Sequence, residues 1–264
     1  MINLKNYSHR LLGTSLLLCL LAMSGCELED FIQPEKPRKV VHYGPATTLL
    51  GGTARTWVEM VNGKPAAIGV EMSEEVLQDL PEEMGMFFLE LPGQAHATGI
   101  KSVMLDWNPM GHEPAGVYTV PHFDFHFFKI TEAQVKQIQP GIDEGAYKLV
   151  ERGVFPSIYT FGPEPFAVPN MGVHWVDVTS PEYSPAGFSK TFIYGSHGDR
   201  VHFFEPMITL AYFNDMEANE SVETPIPSLL KHEEAGYYPE SYTIKHSAMK
   251  GTYSVALTDL EWRN

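Results

Sequence analysis

The chain reads as mainly β, an antiparallel β-sandwich or barrel with two or three short helices. Three observations predict this. Apolar and polar residues alternate in many short runs, 22 glycines and 20 prolines punctuate them, and stretches with a helical period are few and brief. Residues 54–61 form a β-prone run, and Asn62-Gly63 is a hairpin turn leading into 66–72. Ser73, with Glu74 and Glu75 behind it, begins a brief helix that ends before Pro81. Residues 86–91 (MFFLEL) and 101–107 are further strands, the first apolar enough to be central. Residues 122–128 (HFDFHFF) are a strand, followed by a helix that Thr131 caps and Pro140-Gly141 end. Residues 153–172, rich in Gly, Pro and Phe, read as an irregular loop. Strands resume at 172–178, 190–194 and 200–204, the last two joined by a Ser196-His197-Gly198-Asp199 hairpin, and Pro206 ends the last of them. Residues 214–239 are acidic and contain prolines, which suits a surface excursion, and strands at 242–246 and 251–262 close the chain. No internal repeat of fixed period is present.

The N-terminus reads as a targeting segment, not as part of the fold. Lys5 and Arg10 precede an apolar run over 11–22, shorter than the roughly 20 residues of a spanning helix. Ser24-Gly25 directly before Cys26 resembles the lipobox of bacterial lipoproteins, which implies cleavage before Cys26 and lipidation of that residue. Residues 1–25 are therefore expected to be a lipoprotein signal peptide, 26–45 an acidic, proline-containing tether, and 46–264 one β-rich domain. The acidic residues Glu27, Glu29 and Asp30 resemble a surface-export signal, and equally a solvated tether. On this reading Cys19 is discarded and Cys26 carries lipid. The mature chain then has neither a thiolate ligand nor a cysteine nucleophile, and any metal site must be built from His, Asp and Glu. The expected location is the bacterial cell envelope, with the membrane as partner through the N-terminal lipid.

Removing residues 1–25 takes away two bases and no acid, so the formal charge falls from −15 to −17. Such a surface argues against nucleic acid and against flat contact with anionic lipid heads. The 44% apolar content is enough for a sizeable core.

The heptad HFDFHFF carries the chemistry. In an extended strand His122, Asp124 and His126 point one way, with about 7 Å between alternate residues, while Phe123, Phe125 and Phe127 point the other. Two imidazoles and a carboxylate in a row are a partial ligand set for a divalent metal. Completing it needs donors from other strands. GVHWVD offers His174 or Asp177, which fall on opposite faces, and FFEP offers Glu205; GHEP, in the loop before the heptad, offers His112. The preferred set is His122, His126 and His174, with Glu205 as fourth ligand or as base. Asp124 either ligates or fixes the tautomer of a ligand imidazole. Such donors suit Zn, Fe, Mn or Ni without choosing among them. His197 sits in a turn, His202 has the opposite parity to Glu205, and His42, His96, His232 and His246 read as surface residues. No GxSxG elbow, phosphate-cradling GxxxxGK[ST] loop or HExxH pair is present.

The segments WNPMGHEP (107–114), PHFDFHFF (121–128), MGVHWVD (171–177) and FEPMIT (204–209) resemble the TTHB-type family of bacterial envelope proteins, whose shared domain has no assigned activity. Phe128 stands where the family has Tyr, and Phe204 where it has Trp. The resemblance spans about residues 47–213. It implies a mostly β domain, lipid-anchored or secreted, with a tendency to form homo-oligomers, and it marks His112, His122, Asp124, His126, His174, Asp177 and Glu205 as the polar residues of interest.

Three readings stand side by side. The first is a metal-dependent hydrolase or oxygenase acting on a small substrate, with Glu205 and Asp124 as catalytic groups. The second is a non-catalytic module that binds metal or a small-molecule ligand, or assists envelope assembly. In the third the histidines only hydrogen-bond within a half-buried antiparallel sheet.

Overall fold

The computed structural model describes residues 37–264; residues 1–25, expected to be a signal peptide, Cys26 and the acidic run behind it lie outside the described residues. The architecture is two seven-stranded antiparallel sheets, a sandwich and not a closed barrel. The first sheet comprises β1 (Lys39–Tyr43), β2 (Thr47–Leu49), β3 (Gly52–Val61), β4 (Lys64–Ser73), β14 (Ser221–Pro225), β15 (Gly236–Ser247) and β16 (Thr252–Arg263). Its order is β1-β3-β4-β16-β15-β14, with β2 also paired to β3. The second comprises β5 (Gly85–Leu89), β6 (Ser102–Asn108), β7 (His122–Phe128), β9 (Tyr159–Thr160), β11 (Val173–Asp177), β12 (Lys190–His197) and β13 (Arg200–Thr209), in the order β5-β6-β7-β13-β12-β11-β9. β8 (Gly141–Ile142) and β10 (Phe166–Ala167) form a separate ribbon. The helices are α1 (Glu132–Val135), α2 (Gly145–Arg152) and α3 (Leu210–Asp215).

Period-two patterning builds the core. Val58, Ile68, Val70, Ile244, Val255 and Leu257 of the first sheet meet Leu105, Phe123, Phe125, Phe127, Phe204 and Ile208 of the second in one buried cluster. Because the phenylalanines of β7 fill this cluster, its His122, Asp124 and His126 must face away from it. That outer face is itself covered. Residues around Tyr118 and Phe188 pack with Ile193 and Met207, and Ile130, Val135 and Met171 pack with Met104, Phe128 and Phe203. All seven residues of β7 are buried in consequence.

Several sequence expectations are corrected. MFFLEL, expected to be central, lies largely in the edge strand β5, which pairs only with β6. Pro206 does not end β13, which runs on to Thr209. A proline lacks only its own N–H, and the pairing with β7 is interrupted there without a shift of register. The tether expected to extend to residue 45 contains β1, paired to β3 through Val41 and Glu59. The excursion at 214–239 contains the edge strand β14, and 153–172 contains β9 and β10. His246 is buried against Tyr253, with Glu74 and the Glu217 carbonyl as hydrogen-bond partners. The Thr131 cap is present as a full capping box with Gln134, but the helix it opens, α1, closes at Val135, before Pro140-Gly141.

Candidate metal centre

Register sets the site. On the outer face of the second sheet, β6 places Asn108 opposite His122, Asp106 opposite Asp124, and Met104 opposite His126. On the other side of β7, Met207 lies opposite Asp124, and the same register continued brings Glu205 beside His126. β11 enters at one end, where His174 pairs with Gly195 of β12. The chain between β6 and β7 brings His112 over the other end.

Two groups of donors result, not one. His112, His122 and Asp124 form the first; His126, His174 and Glu205 form the second. Within each group one ligand atom from every residue lies within 4.8 Å of the others. The expected joint set of His122, His126 and His174 is therefore corrected. His122 and His126 share a face but stand four residues apart along an extended strand, about 13 Å by strand rise, too far for one ion. Asp177 joins neither group. Its Oδ1 accepts from the backbone N–H and hydroxyl of Thr179 and closes a turn. His202 packs inside, with Nε2 against the Met171 carbonyl.

In the second group, His126 Nε2 lies 3.2 Å from Glu205 Oε1, and His174 Nε2 lies 3.6 Å from Glu205 Oε2. Asp106 Oδ2 stands 3.3 Å from His126 Nδ1. In the first group, His122 Nε2 is 3.1 Å from Asp124 Oδ1, and His112 Nε2 is 3.4 Å from Asp124 Oδ2. The far ring nitrogens are held by acceptors. His122 Nδ1 meets the Val120 carbonyl and His112 Nδ1 the Glu113 carbonyl, both at 2.7 Å. Protons held on Nδ1 of His112 and His122 leave Nε2 with a bare lone pair, and that lone pair faces a carboxylate. Two acceptors are then opposed across a buried gap, which needs a cation between them.

The orphaned atoms agree. His122 Nε2, Asp124 Oδ1, both nitrogens of His126, both oxygens of Asp106 and Glu205 Oε2 are buried without a hydrogen-bond partner. Native interiors rarely leave such groups unpaired. Several are close in distance yet off the hydrogen-bond line. Donors bound to one ion at about 2.0–2.1 Å in tetrahedral array sit roughly 3.3 Å apart. The imidazole–carboxylate pairs here are 3.1–3.6 Å apart, and each whole group lies within 4.8 Å. The two groups can each hold a metal ion, and their donor set fits one.

Without a metal, protons take the place of the cation. Burial works against charge on His126, but Glu205 and Asp106 outweigh it and lift its pKa to about 9. His112, opposed by burial and raised by Asp124, also reaches about 9. Burial pushes His174 down to about 3, helped by the like charges of His126 and His112. Burial raises Glu205, partly offset by His126 and reinforced by Asp124. Burial also tends to raise Asp124, but His122 and His112 overcome it and hold that carboxyl below the usual range. Asp106 is raised, chiefly by burial.

Access differs between donors. His122, His126, Asp124 and Glu205 are fully enclosed, whereas 34% of the His112 side chain and 20% of the His174 side chain meet solvent. Two neighbours escaped the sequence reading. Asp106 interrupts the apolar run VMLDWN, a charge in a buried strand that was a usable signal. Asn108, whose Nδ2 donates to Asp124 Oδ2 at 2.7 Å, gave none, because only pairing with β7 reveals it. Compared with protein-family models, with curated proteins and with solved structures, the chain matches none.

Proposed function

We propose that this chain is a lipid-anchored protein of the bacterial cell envelope, held through Cys26, that binds a divalent transition metal at His126, His174 and Glu205. The supporting observation is the approach of two imidazole nitrogens to one buried carboxylate at 3.2 and 3.6 Å, with His126 Nε2 and Glu205 Oε2 buried and without hydrogen-bond partners. Two histidines and one carboxylate on one side of an ion leave coordination positions free, a pattern used by zinc hydrolases and by non-haem iron oxygenases. A bound ion there supplies Lewis acidity toward water or, if redox-active, a site for dioxygen. Glu205 bridges the two imidazoles, Asp106 beside His126 Nδ1 holds that ring in orientation, and His174 faces the solvent side through which a small substrate would enter. The assigned activity is metal-dependent hydrolysis or oxygenation of a small molecule. The TTHB-type motifs support placement in the envelope, and homo-oligomerisation belongs to the same reading.

A second reading has its own observation. His126 and Glu205 are fully buried, which suits retention of a metal by a binding or assembly module without turnover. Metal analysis of the purified, untagged full chain tests the shared claim: at least one equivalent is expected, falling by one in His174→Ala. Substoichiometric metal unchanged by that substitution contradicts it. A substrate panel on metal-loaded protein then divides enzyme from binder. Cys26→Ala should release the chain from the membrane fraction, and persistence there would sink the lipid anchor.

A further inference from the structure

His112, His122 and Asp124 lie outside the site assigned above, and their chemistry repeats it: two imidazoles and a carboxylate, with Nε2 of each ring aimed at one Asp124 oxygen. His122 Nε2 and Asp124 Oδ1 are buried, 3.1 Å apart and without hydrogen-bond partners. Val120 and Glu113 carbonyls hold the opposite ring nitrogens, and Asn108 holds Asp124 Oδ2, so all three donors are oriented before any ligand arrives. Asp124 therefore faces His122 with its free oxygen, Oδ1, and His112 with Oδ2, the oxygen that Asn108 holds.

The framework divides unequally. His122 and Asp124 belong to the rigid strand β7, whereas His112 rides on the segment between β6 and β7. That segment is anchored by the buried Tyr118, whereas the stretch from Met110 to Gly116 that carries His112 is partly to fully exposed. The His112 amide donates to the Tyr118 carbonyl at 3.1 Å, and the Tyr118 hydroxyl donates to Glu182 at 3.2 Å. The rings of Tyr118 and Phe188 wall the group on one side, and His112 itself forms the partly exposed wall. Of the three donors only His112 lies outside the sheet, and only its side chain meets solvent, at 34% exposure.

We infer that His112, His122 and Asp124 form a second divalent-metal site, closed by the segment that carries His112 and exchangeable where the His126 site is retentive. This extends the metal-binding reading above and rests on it, but it requires different residues. The full chain binds two metal equivalents. His112→Ala binds one, and so does His174→Ala, each losing a different one.

Zinc titration of the untagged full chain, followed by native mass spectrometry and by brief chelator treatment, tests this. Wild type is expected to bind two ions and to lose one of them at least about tenfold faster than the other. In His112→Ala the slowly released ion should remain and the fast one vanish; in His174→Ala the reverse holds. His112→Gln, which keeps a polar side chain on the segment, controls for a loop disturbed by truncation and should also bind one ion. One equivalent in wild type, unchanged by His112→Ala and abolished by His174→Ala, overturns the second site and leaves the first standing. Two equivalents with equal release rates overturn the exchangeable assignment, and no bound zinc overturns both sites.

Discussion

Asp106 belongs to neither ion-facing cluster, yet its carboxylate stands beside the far ring nitrogen of His126. Its Oδ2 stands 3.3 Å from Nδ1, and both its oxygens are buried without a hydrogen-bond partner. Asp106→Asn keeps the volume and removes the charge that favours a proton on Nδ1. The expected outcome is a metal affinity at the His126 site about 10–100-fold weaker, read by competition with a chromophoric chelator, with the circular dichroism of the fold unchanged. An affinity equal to wild type would remove Asp106 from the argument. Proton competition supplies a second residue-scale prediction. His126 and His112 hold protons to about pH 9 in the metal-free protein, and metal can bind only after they leave. Affinity should therefore rise between pH 6.5 and 9, with proton release visible as a buffer-dependent binding enthalpy. A flat profile would contradict it. The row His122, Asp124, His126 was legible because strand alternation is local, whereas its division between two clusters was not, since the deciding donors come from residues 112, 174 and 205.

At the scale of elements, β12 shows why the second cluster exists at all. Gly195 pairs with both His174 and Phe203, and a Cβ there would fall 1.8 Å from the Phe203 ring. That ring lies over the glycine and packs edge-on against both His126 and His174. Gly195→Ala must push the aromatic wall toward the imidazoles, at a cost of roughly 1–3 kcal/mol for overpacking. The expected result is a lower melting temperature and loss of the ion bound at His174, with the His112 cluster still loading. Retention of both ions would show that the wall does not position the site. Gly111 has the corresponding role for the other cluster. Its φ is +67°, and a Cβ would meet the Tyr118 carbonyl at 1.9 Å, so only glycine lets the segment turn and deliver His112. Such close approaches are invisible in sequence, where both glycines read as ordinary turn or strand punctuation. Hairpins were legible from Asn62-Gly63 and Gly198-Asp199, because turn chemistry is carried by adjacent residues. Strand order was not: the apolar content of β5 resembles that of a central strand, and only pairing distinguishes the two.

For the whole molecule, burying two proton-binding clusters inside a sandwich makes stability depend on pH in both directions. His112 and His126 have folded-state values raised to about 9 from an unfolded value of 6.5. They stabilise fully below pH 6.5, and that contribution disappears as pH rises through 9. His174 and His202 are both lowered to about 3, chiefly by burial, so they stabilise above pH 6.5 and progressively less as pH falls toward 3. Asp124, held below the usual carboxylate range, adds to the loss in acid. Glu205 and Asp106, both raised by burial, lose stability as pH climbs above the ordinary carboxylate range and offset part of the gain from His174 and His202. The metal-free protein should therefore melt highest at or below pH 6.5 and decline in alkali and in strong acid. A metal that occupies the clusters replaces the protons of His112 and His126, so the alkaline decline should vanish while the acid decline remains. At a hundredfold excess over its Kd, one bound ion adds about 2.7 kcal/mol, or roughly 5–11 °C in a domain of this size. Scanning calorimetry from pH 5 to 9.5, with zinc and with chelator, measures the difference directly. Because protons and metal compete for the same nitrogens, the gap between the two melting curves must widen with pH. A constant gap would mean that the metal binds elsewhere on this acidic surface, and that the two buried clusters satisfy their charges with protons alone.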